Sequence, residues 1–290
     1  SVCDPNQELA QRYSSQYNVK NSSFSEIKSD PEIDGIVLAV PATLHASMAI
    51  EAMSAGKHVF VEKPLAMNQK EAKAMIVSAK ENNVQLMVGH LLQYHPVFSK
   101  VRELVDSGGL GALQYIYSNR LSLGKVRSEE NVIWSFAPHD ISMILSLIKE
   151  NVKSVRAETA TILRPNIADT ATIHLQFESG IKAHVSVSWI HPYKEQKLVV
   201  IGQEGMITFD DTQPWEKKLA LYRHRIHCMQ ELTSIEKGEV VYIEVPHAEP
   251  LKEECLYFIK LMMGTVSPLT DGREGSEVLS ILNASSSFSD

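Results

Sequence analysis

His58-Val59-Phe60-Val61-Glu62-Lys63-Pro64 is the stretch on which the reading of this chain turns. An apolar run stops at an acid, a lysine and a proline, and a helical stretch follows. Short continuous apolar runs are strands buried on both faces, the form found in parallel sheets. Lys63 then falls at the carboxyl end of such a strand, where open α/β sheets bind their ligands. Pro64 removes an N–H, restricts Lys63 to extended backbone and brings a cis bond within reach. The lysine is expected to be held, where one without such an address is a solvated surface charge.

The neighbouring segments repeat the pattern in both directions. Upstream, Gly35 to Val40 is a second apolar run, and Ala46, Ala49, Ile50 and Met53 follow it at helical offsets, closed by Gly56. Ser1 to Asp4 reads as the end of a strand, with a helix from Pro5-Asn6 carrying Leu9, Tyr13 and Tyr17. Downstream come a helix with Ala72, Met75, Ile76 and Ala79, and a strand from Val84 to Gly89. A further helix carries Val97, Val101, Leu104 and Val105 and ends at Gly108-Gly109. Strand and helix alternate, so residues 1–112 are expected to form an α/β, doubly wound parallel sheet.

The pattern then changes. Leu113 to Leu123 is one long strand, and His139 to Ile148 a helix with Ile141, Ile144, Leu145 and Ile148 on one face. Ile181, Ala183, Val185, Val187 and Trp189 alternate with Lys182, His184, Ser186 and Ser188, giving a strand with one wet or ligand-facing side. Glu178-Ser179-Gly180 and Gly202-Gln203-Glu204-Gly205 read as hairpin turns. Helices near 251–263 and 273–287 end the chain. Residues 113–290 are therefore expected to be an α+β domain with a mainly antiparallel open sheet.

Composition excludes several classes. The 290 residues are 44% hydrophobic and 22% charged, with 28 basic against 35 acidic side chains and a formal charge of −7. No Lys/Arg block is present, so a nucleic-acid partner is not expected. The apolar runs are too short to span a bilayer, so neither is a membrane. Cys3, Cys228 and Cys255 are too few for a disulfide framework, which fits a reducing, cytoplasmic setting. His224-Arg225-Ile226-His227-Cys228 invites a metal reading, but His224 and His227 face opposite sides of a strand and no fourth ligand is evident. No metal is expected.

Asp4 after a strand, Pro41 and His45 after the next, Glu62-Lys63-Pro64, Gly108-Gly109-Leu110-Gly111, and His139-Asp140 opening a helix occur in a familiar order. On these residues the chain resembles the Gfo/Idh/MocA oxidoreductases over essentially its whole length. Gly89-His90-Leu91-Leu92-Gln93-Tyr94-His95-Pro96 and Trp134-Ser135-Phe136-Ala137-Pro138-His139-Asp140 resemble more narrowly the branch that oxidises the 3-hydroxyl of UDP-N-acetylglucosamine or its uronic acid. The resemblance implies a Rossmann-like N-terminal domain, followed by a substrate-binding and oligomerisation domain. It implies NAD as cofactor, with NADP second, a sugar or nucleotide-sugar substrate, and a homodimer or homotetramer through the C-terminal sheet.

It also implies site residues. Lys63 and His139 would be catalytic. Asp4, Val40, Pro41, His45, Glu62, Lys63 and Pro64 would bind the cofactor. Tyr94, His95, Trp134, His139, Asp140 and His191 would line the sugar pocket, and Arg120 and Arg164 would hold a carboxylate or diphosphate bidentately; the alternative for Tyr94, His95, Trp134 and His191 is core or rim, and for the arginines a surface charge. Lys63 accepts the hydroxyl proton once burial and a cationic nicotinamide ring favour its neutral form. His139, read as lying at a helix start, is expected to lose basicity there and to assist. Its alternative role is a structural hydrogen bond. Asp4 serves equally as a ribose ligand favouring NAD or as a helix cap before Pro5.

Two departures from the family pattern stand out. The glycine-rich phosphate loop is absent. If Asp4 is the acid that lies about 20 residues beyond that loop, the first strand, loop and helix precede Ser1. The native protein is expected to contain them, because losing a central strand strands buried backbone groups at ~1–3 kcal/mol each. The end at Ser289-Asp290 is likewise expected to stop early, inside a helix. Secondly, Ser135 stands where many members carry an acid four residues before the histidine. Two functions remain open: a nicotinamide-dependent sugar dehydrogenase, or a non-catalytic dinucleotide- or sugar-binding sensor of the same fold.

Overall fold

The computed structural model describes residues 1–229 and 232–286, with the side chains of 225–229 and 232–233 outside that description. In chain order the helices and strands are α1 (Gln7–Tyr17), α2 (Phe24–Ser29), β1 (Gly35–Leu38), α3 (His45–Ser54), β2 (His58–Glu62), α4 (Gln69–Glu81), β3 (Leu86–Gly89) and α5 (Pro96–Asp106). There follow β4 (Leu113–Leu123), α6 (Val132–Ile148), β5 (Val152–Ala160), β6 (Thr170–Phe177), β7 (Lys182–Ser188), β8 (Ile190–Gly202) and β9 (Gly205–Asp210). Then come β10 (Leu219–Met229), β11 (Leu232–Tyr242), α7 (Pro250–Met262) and α8 (Gly272–Ser286). Two compact units result: Ser1–Val88 with Phe258–Gly272, and Gly89–Tyr257 with Arg273–Asp290. The sequence reading divided the chain at 112. The difference lies in α5, which packs on α6 and β9 and so joins the second unit.

The first unit is a parallel sheet of order β1-β2-β3, so β2 lies in the middle. Val59, Phe60 and Val61 are all buried, as a strand covered on both faces requires. Helix α3 packs on β1, β2 and α4. Asn68 caps α4 by accepting from the Glu71 N–H at 3.0 Å, and Ser23 and Glu26 form a reciprocal capping box on α2. Val2 makes one parallel bridge to Asn21 where the sequence reading placed a strand end. The chain returns to this unit late. Phe258 packs 5.6 Å from the Phe60 ring; the Val88 N–H donates to the Thr270 carbonyl at 2.8 Å, and the Thr270 hydroxyl donates to the Val88 carbonyl at 2.7 Å. A Cβ at Gly272, the first residue of α8, would meet Ile76 Cγ1 at 2.8 Å and force that side chain to shift.

The second unit is an eight-stranded sheet of order β11-β10-β9-β8-β4-β7-β6-β5, antiparallel except for the β4–β7 pair. The predicted period of two holds on β7: Ala183, Val185 and Val187 are buried while Lys182 is exposed. Helix α6 covers the buried face, packing on β4, β6 and β7. The opposite face carries Tyr115, Tyr117, His174 and His184, with the Tyr117 and His184 rings stacked at 5.3 Å.

Helix α6 corrects the sequence reading. It starts at Val132, not His139, with Asn131 accepting from the Trp134 N–H at 3.2 Å. A proline inside a helix is normally excluded because it lacks an N–H and crowds the preceding turn. Here Pro138 sits inside α6 and is buried. His139 therefore lies about two turns from the helix start, and the expected effect of the helix dipole on its basicity does not apply.

Candidate functional site

In the first unit, the ends of β1 and β2 are tied together by one buried side chain. The His45 ring places Nε2 at 2.9 Å from the Val40 carbonyl and Nδ1 at 2.8 Å from the Pro64 carbonyl. His45, expected as a cofactor ligand, thus engages backbone with both nitrogens and sets the loop in which Lys63 stands. Lys63 is partly buried, its N–H donates to Glu62 Oε2 at 3.3 Å, and the Lys63–Pro64 bond is cis. Pro41 is exposed and opens a short 3-10 turn over Ala42–Leu44. Asp4 is partly buried and accepts from the Asn6 N–H at 2.7 Å. The cap of α1 is Asn6, which accepts from Glu8 and Leu9, so the alternative of Asp4 as the cap is corrected. An accepting carboxylate at Asp4 and two strand-end loops tied by His45 are the kinds of group a nicotinamide dinucleotide requires, an acceptor for ribose hydroxyls and backbone at strand ends.

In the second unit, the candidates sort into ligands and struts. Arg120 reaches across from β4 to α6, placing Nε 2.6 Å from Asp140 Oδ2 and Nη2 3.1 Å from Oδ1. Ser118 donates to the same carboxylate at 2.5 Å, and Asp140 is 1% exposed. Both charges expected to hold substrate are committed to each other, and the pair docks α6 onto the sheet. Arg164 is exposed on the loop before β6. That loop is closed by Asp169, which accepts from the Ile162 and Leu163 N–H groups and the Trp189 indole. Burial pushes the Asp169 carboxyl up, but these bonds win and hold it below the usual carboxylate range. Trp134 donates to Ser286 Oγ at 3.1 Å. The buried Tyr94 ring packs 5.1 Å from Tyr257, and His191 Nδ1 lies 2.6 Å from the Tyr193 carbonyl.

His95 is a correction. It is buried between Phe209 and Trp215, and its Nδ1 accepts from the Val97 N–H at 3.1 Å, capping α5. Its proton is therefore assigned to Nε2, which faces Asp211 Oδ1 at 3.5 Å. Burial alone would raise the Asp211 carboxyl. Bonds from His95 and Lys218, with the lysine charge, outweigh it and bring the value down to about 2. An unfolded aspartate titrates near ~3.9, so this stabilisation is complete above about pH 5 and drains away as pH falls towards 2. Asp211→Asn should flatten that limb by about 2 kcal/mol in urea unfolding between pH 5 and pH 2. Parallel wild-type and variant curves would contradict it.

His139 is partly buried on α6, with the His90 ring edge-on at 6.4 Å and 81°. His90 in turn places Nδ1 2.7 and 2.9 Å from the two Glu274 oxygens. Ser142 donates to Glu274 at 2.6 Å and accepts from Gln93 Nε2 at 2.9 Å, and Gln93 accepts from Arg102 at 2.8 Å. Sequence reasoning assigned nothing to His90, Gln93, Ser142 or Glu274. One signal was available: His90 follows an apolar run at a strand end, the same address as Lys63. Ser142 and Glu274 carried none. No group of three or more His, Cys, Asp or Glu suited to a metal lies among the described residues. The side chains of His227 and Cys228 are outside them. No described helix is long and apolar enough to cross a membrane.

Two family profiles match the chain: one described as oxidoreductase family, NAD-binding Rossmann fold, over residues 1–90, and the GFO/IDH/MocA C-terminal domain over residues 98–208. A scyllo-inositol 2-dehydrogenase (NAD(+)) of Bacillus subtilis is 26% identical over 71% of this chain and 64% of its own length. A UDP-N-acetylglucosamine 3-dehydrogenase of Acidithiobacillus ferrooxidans is 29% identical over 62% of this chain and 56% of its own. The chain thus spans about three fifths of the length of the curated relatives it matches. The crystal structure of the Acidithiobacillus enzyme GnnA shares the fold, with a TM-score of 0.84 at 24% identity, covering 99% of this chain and 90% of that one. The Bordetella pertussis WlbA dehydrogenase, solved with NADH and UDP-GlcNAcA, gives 0.76 at 23% identity, covering 98% and 85%.

Proposed function

This chain belongs to the GFO/IDH/MocA family of oxidoreductases, and from that premise we propose that it transfers a hydride between NAD and a sugar hydroxyl, by preference on a nucleotide sugar. Lys63 carries the reading: a partly buried lysine at the carboxyl end of the middle parallel strand, in the unit matched to an NAD-binding fold. Relatives named for UDP-N-acetylglucosamine and scyllo-inositol support the substrate class. Asp4 would accept from the ribose hydroxyls and repel a 2′-phosphate, favouring NAD over NADP. The loops at Val40-Pro41 and Glu62-Lys63-Pro64 would border the nicotinamide. Bound there, the cofactor supplies the hydride acceptor.

Lys63 takes the hydroxyl proton during oxidation and returns it in the reverse direction. His139 assists by hydrogen bonding, and Trp134 offers an apolar face to the sugar. Arg120, Asp140 and His95 act through the fold instead of touching substrate. The proposed setting is cytoplasmic. A non-catalytic binder would have no need of a held proton acceptor. The test is absorbance of NADH on mixing protein and NAD with UDP-N-acetylglucosamine, its uronic acid and scyllo-inositol. Reduction of NAD with one of them is expected; binding without reduction across the panel would favour the sensor.

Assembly forms part of the proposal. The face of the eight-stranded sheet opposite α6 clusters Tyr115, Tyr117, His174 and His184, and a second copy would cover it. Light scattering at micromolar concentration should give a dimer or tetramer, and Tyr117→Glu should lower the mass. A wild-type monomer would count against the interface.

A further inference from the structure

We propose that His90 is a positioning residue for His139, with Glu274 setting its tautomer. The inference rests on the reading of His139 as a site residue. Three observations carry it. First, a carboxylate only accepts, so a His90 Nδ1 lying 2.7 and 2.9 Å from both Glu274 oxygens carries the proton. In the neutral ring this leaves Nε2 as an acceptor. Secondly, the pair is clamped to the helix that bears His139. Ser142, on the turn after His139, donates to Glu274 Oε1 at 2.6 Å, while Gln93 holds the Ser142 carbonyl at 2.8 Å and hydroxyl at 2.9 Å. Thirdly, the His90 ring stands edge-on to His139 at 6.4 Å. That is too far for a direct bond between the rings and within the span of one water.

A packing role does not explain the arrangement. His90 is 1% exposed, and removing an acid–imidazole pair from water costs more than an apolar pair of the same volume would. On α6 itself, Ser135, one turn before His139, is buried and carries no charge. The Glu274 carboxylate bonds the ring that stands edge-on to His139, and it comes from a residue far along the chain. His90 Nε2 fixes the orientation and tautomer of His139 through the water. In the neutral ring, Glu274 holds the proton on Nδ1 and leaves Nε2 to accept.

The experiment compares His90→Gln, Glu274→Gln and His139→Ala in the full chain, with NAD and UDP-N-acetylglucosamine as probes. Both positioning variants should lower kcat by about tenfold to a hundredfold, as a misplaced catalytic group does. KM for sugar and NAD should stay within about twofold, because ground-state binding is untouched. Histidine-selective 15N spectra, which need no turnover, should place the His90 proton on Nδ1 and show the His139 ring resonances moving in Glu274→Gln. If His139→Ala keeps wild-type turnover, the reading of His139 fails and this inference with it. If His139→Ala is impaired while both other variants keep wild-type kcat, the inference alone fails. A His90 proton on Nε2 in the wild-type spectrum overturns it irrespective of how any variant folds.

Discussion

Lys63→Ala should leave NAD binding close to wild type and lower turnover by about 10²–10⁴-fold, the range that a positioned acid–base group supplies. The expectation follows from where the lysine stands. Its backbone is set by Glu62, by Pro64 and by the His45 ring that ties the Pro64 carbonyl to Val40. Truncation at Cβ removes the ammonium and leaves these contacts in place. Lys63→Arg should not rescue activity, because a guanidinium does not deprotonate at working pH. The pH profile of turnover should rise on one group in wild type, and that limb should vanish in Lys63→Ala. Calorimetric titration with NAD separates binding from chemistry. Near-normal turnover in Lys63→Ala would make the lysine structural and turn the balance towards the sensor.

The largest stability loss is expected from Arg120→Met. The substitution leaves the Asp140 carboxylate buried, with the Ser118 hydroxyl as the remaining donor seen at its oxygens. Breaking one side of a buried pair strands an uncompensated charge and costs about 3–5 kcal/mol. Asp140→Asn should cost less, since the Arg120 side chain is 14% exposed and can turn its charge to water. Replacing both, Arg120→Met with Asp140→Leu, should recover much of the loss, because the pair is a strut and an apolar strut can stand in for it. Urea unfolding reads all three. An Arg120→Met midpoint equal to wild type would show that the pair does not anchor α6. Because α6 also bears His139, turnover should fall in Arg120→Met even at temperatures where the protein stays folded.

Much of the architecture was legible because it is written in local periodicity. The β4 strand was read at its observed bounds, and the helices α3, α4, α5, α7 and α8 and the hairpins at Gly180 and Gly202–Gly205 were placed correctly. Each depends on neighbours two to four residues apart, a range at which the sequence carries the physics directly. Helix α6 was read short for the opposite reason. Pro138 signals a boundary locally, while burial against the β4–β7 sheet overrides the missing hydrogen bond.

What the sequence by itself determined is the alternation of strand and helix up to α5, the switch to an antiparallel sheet, and the address of Lys63 after β2. A strand-end lysine followed by proline needs no distant partner to be recognised. What only the tertiary structure decided is which charged groups remain available for chemistry. Arg120 and Asp140 are 20 residues apart and His90 and Glu274 are 184 apart, so no local signal pairs them. A buried charge must find its counter-charge wherever the fold brings one, and that choice committed Arg120 and Asp140 to each other and set the ring of the His90–Glu274 pair edge-on to His139.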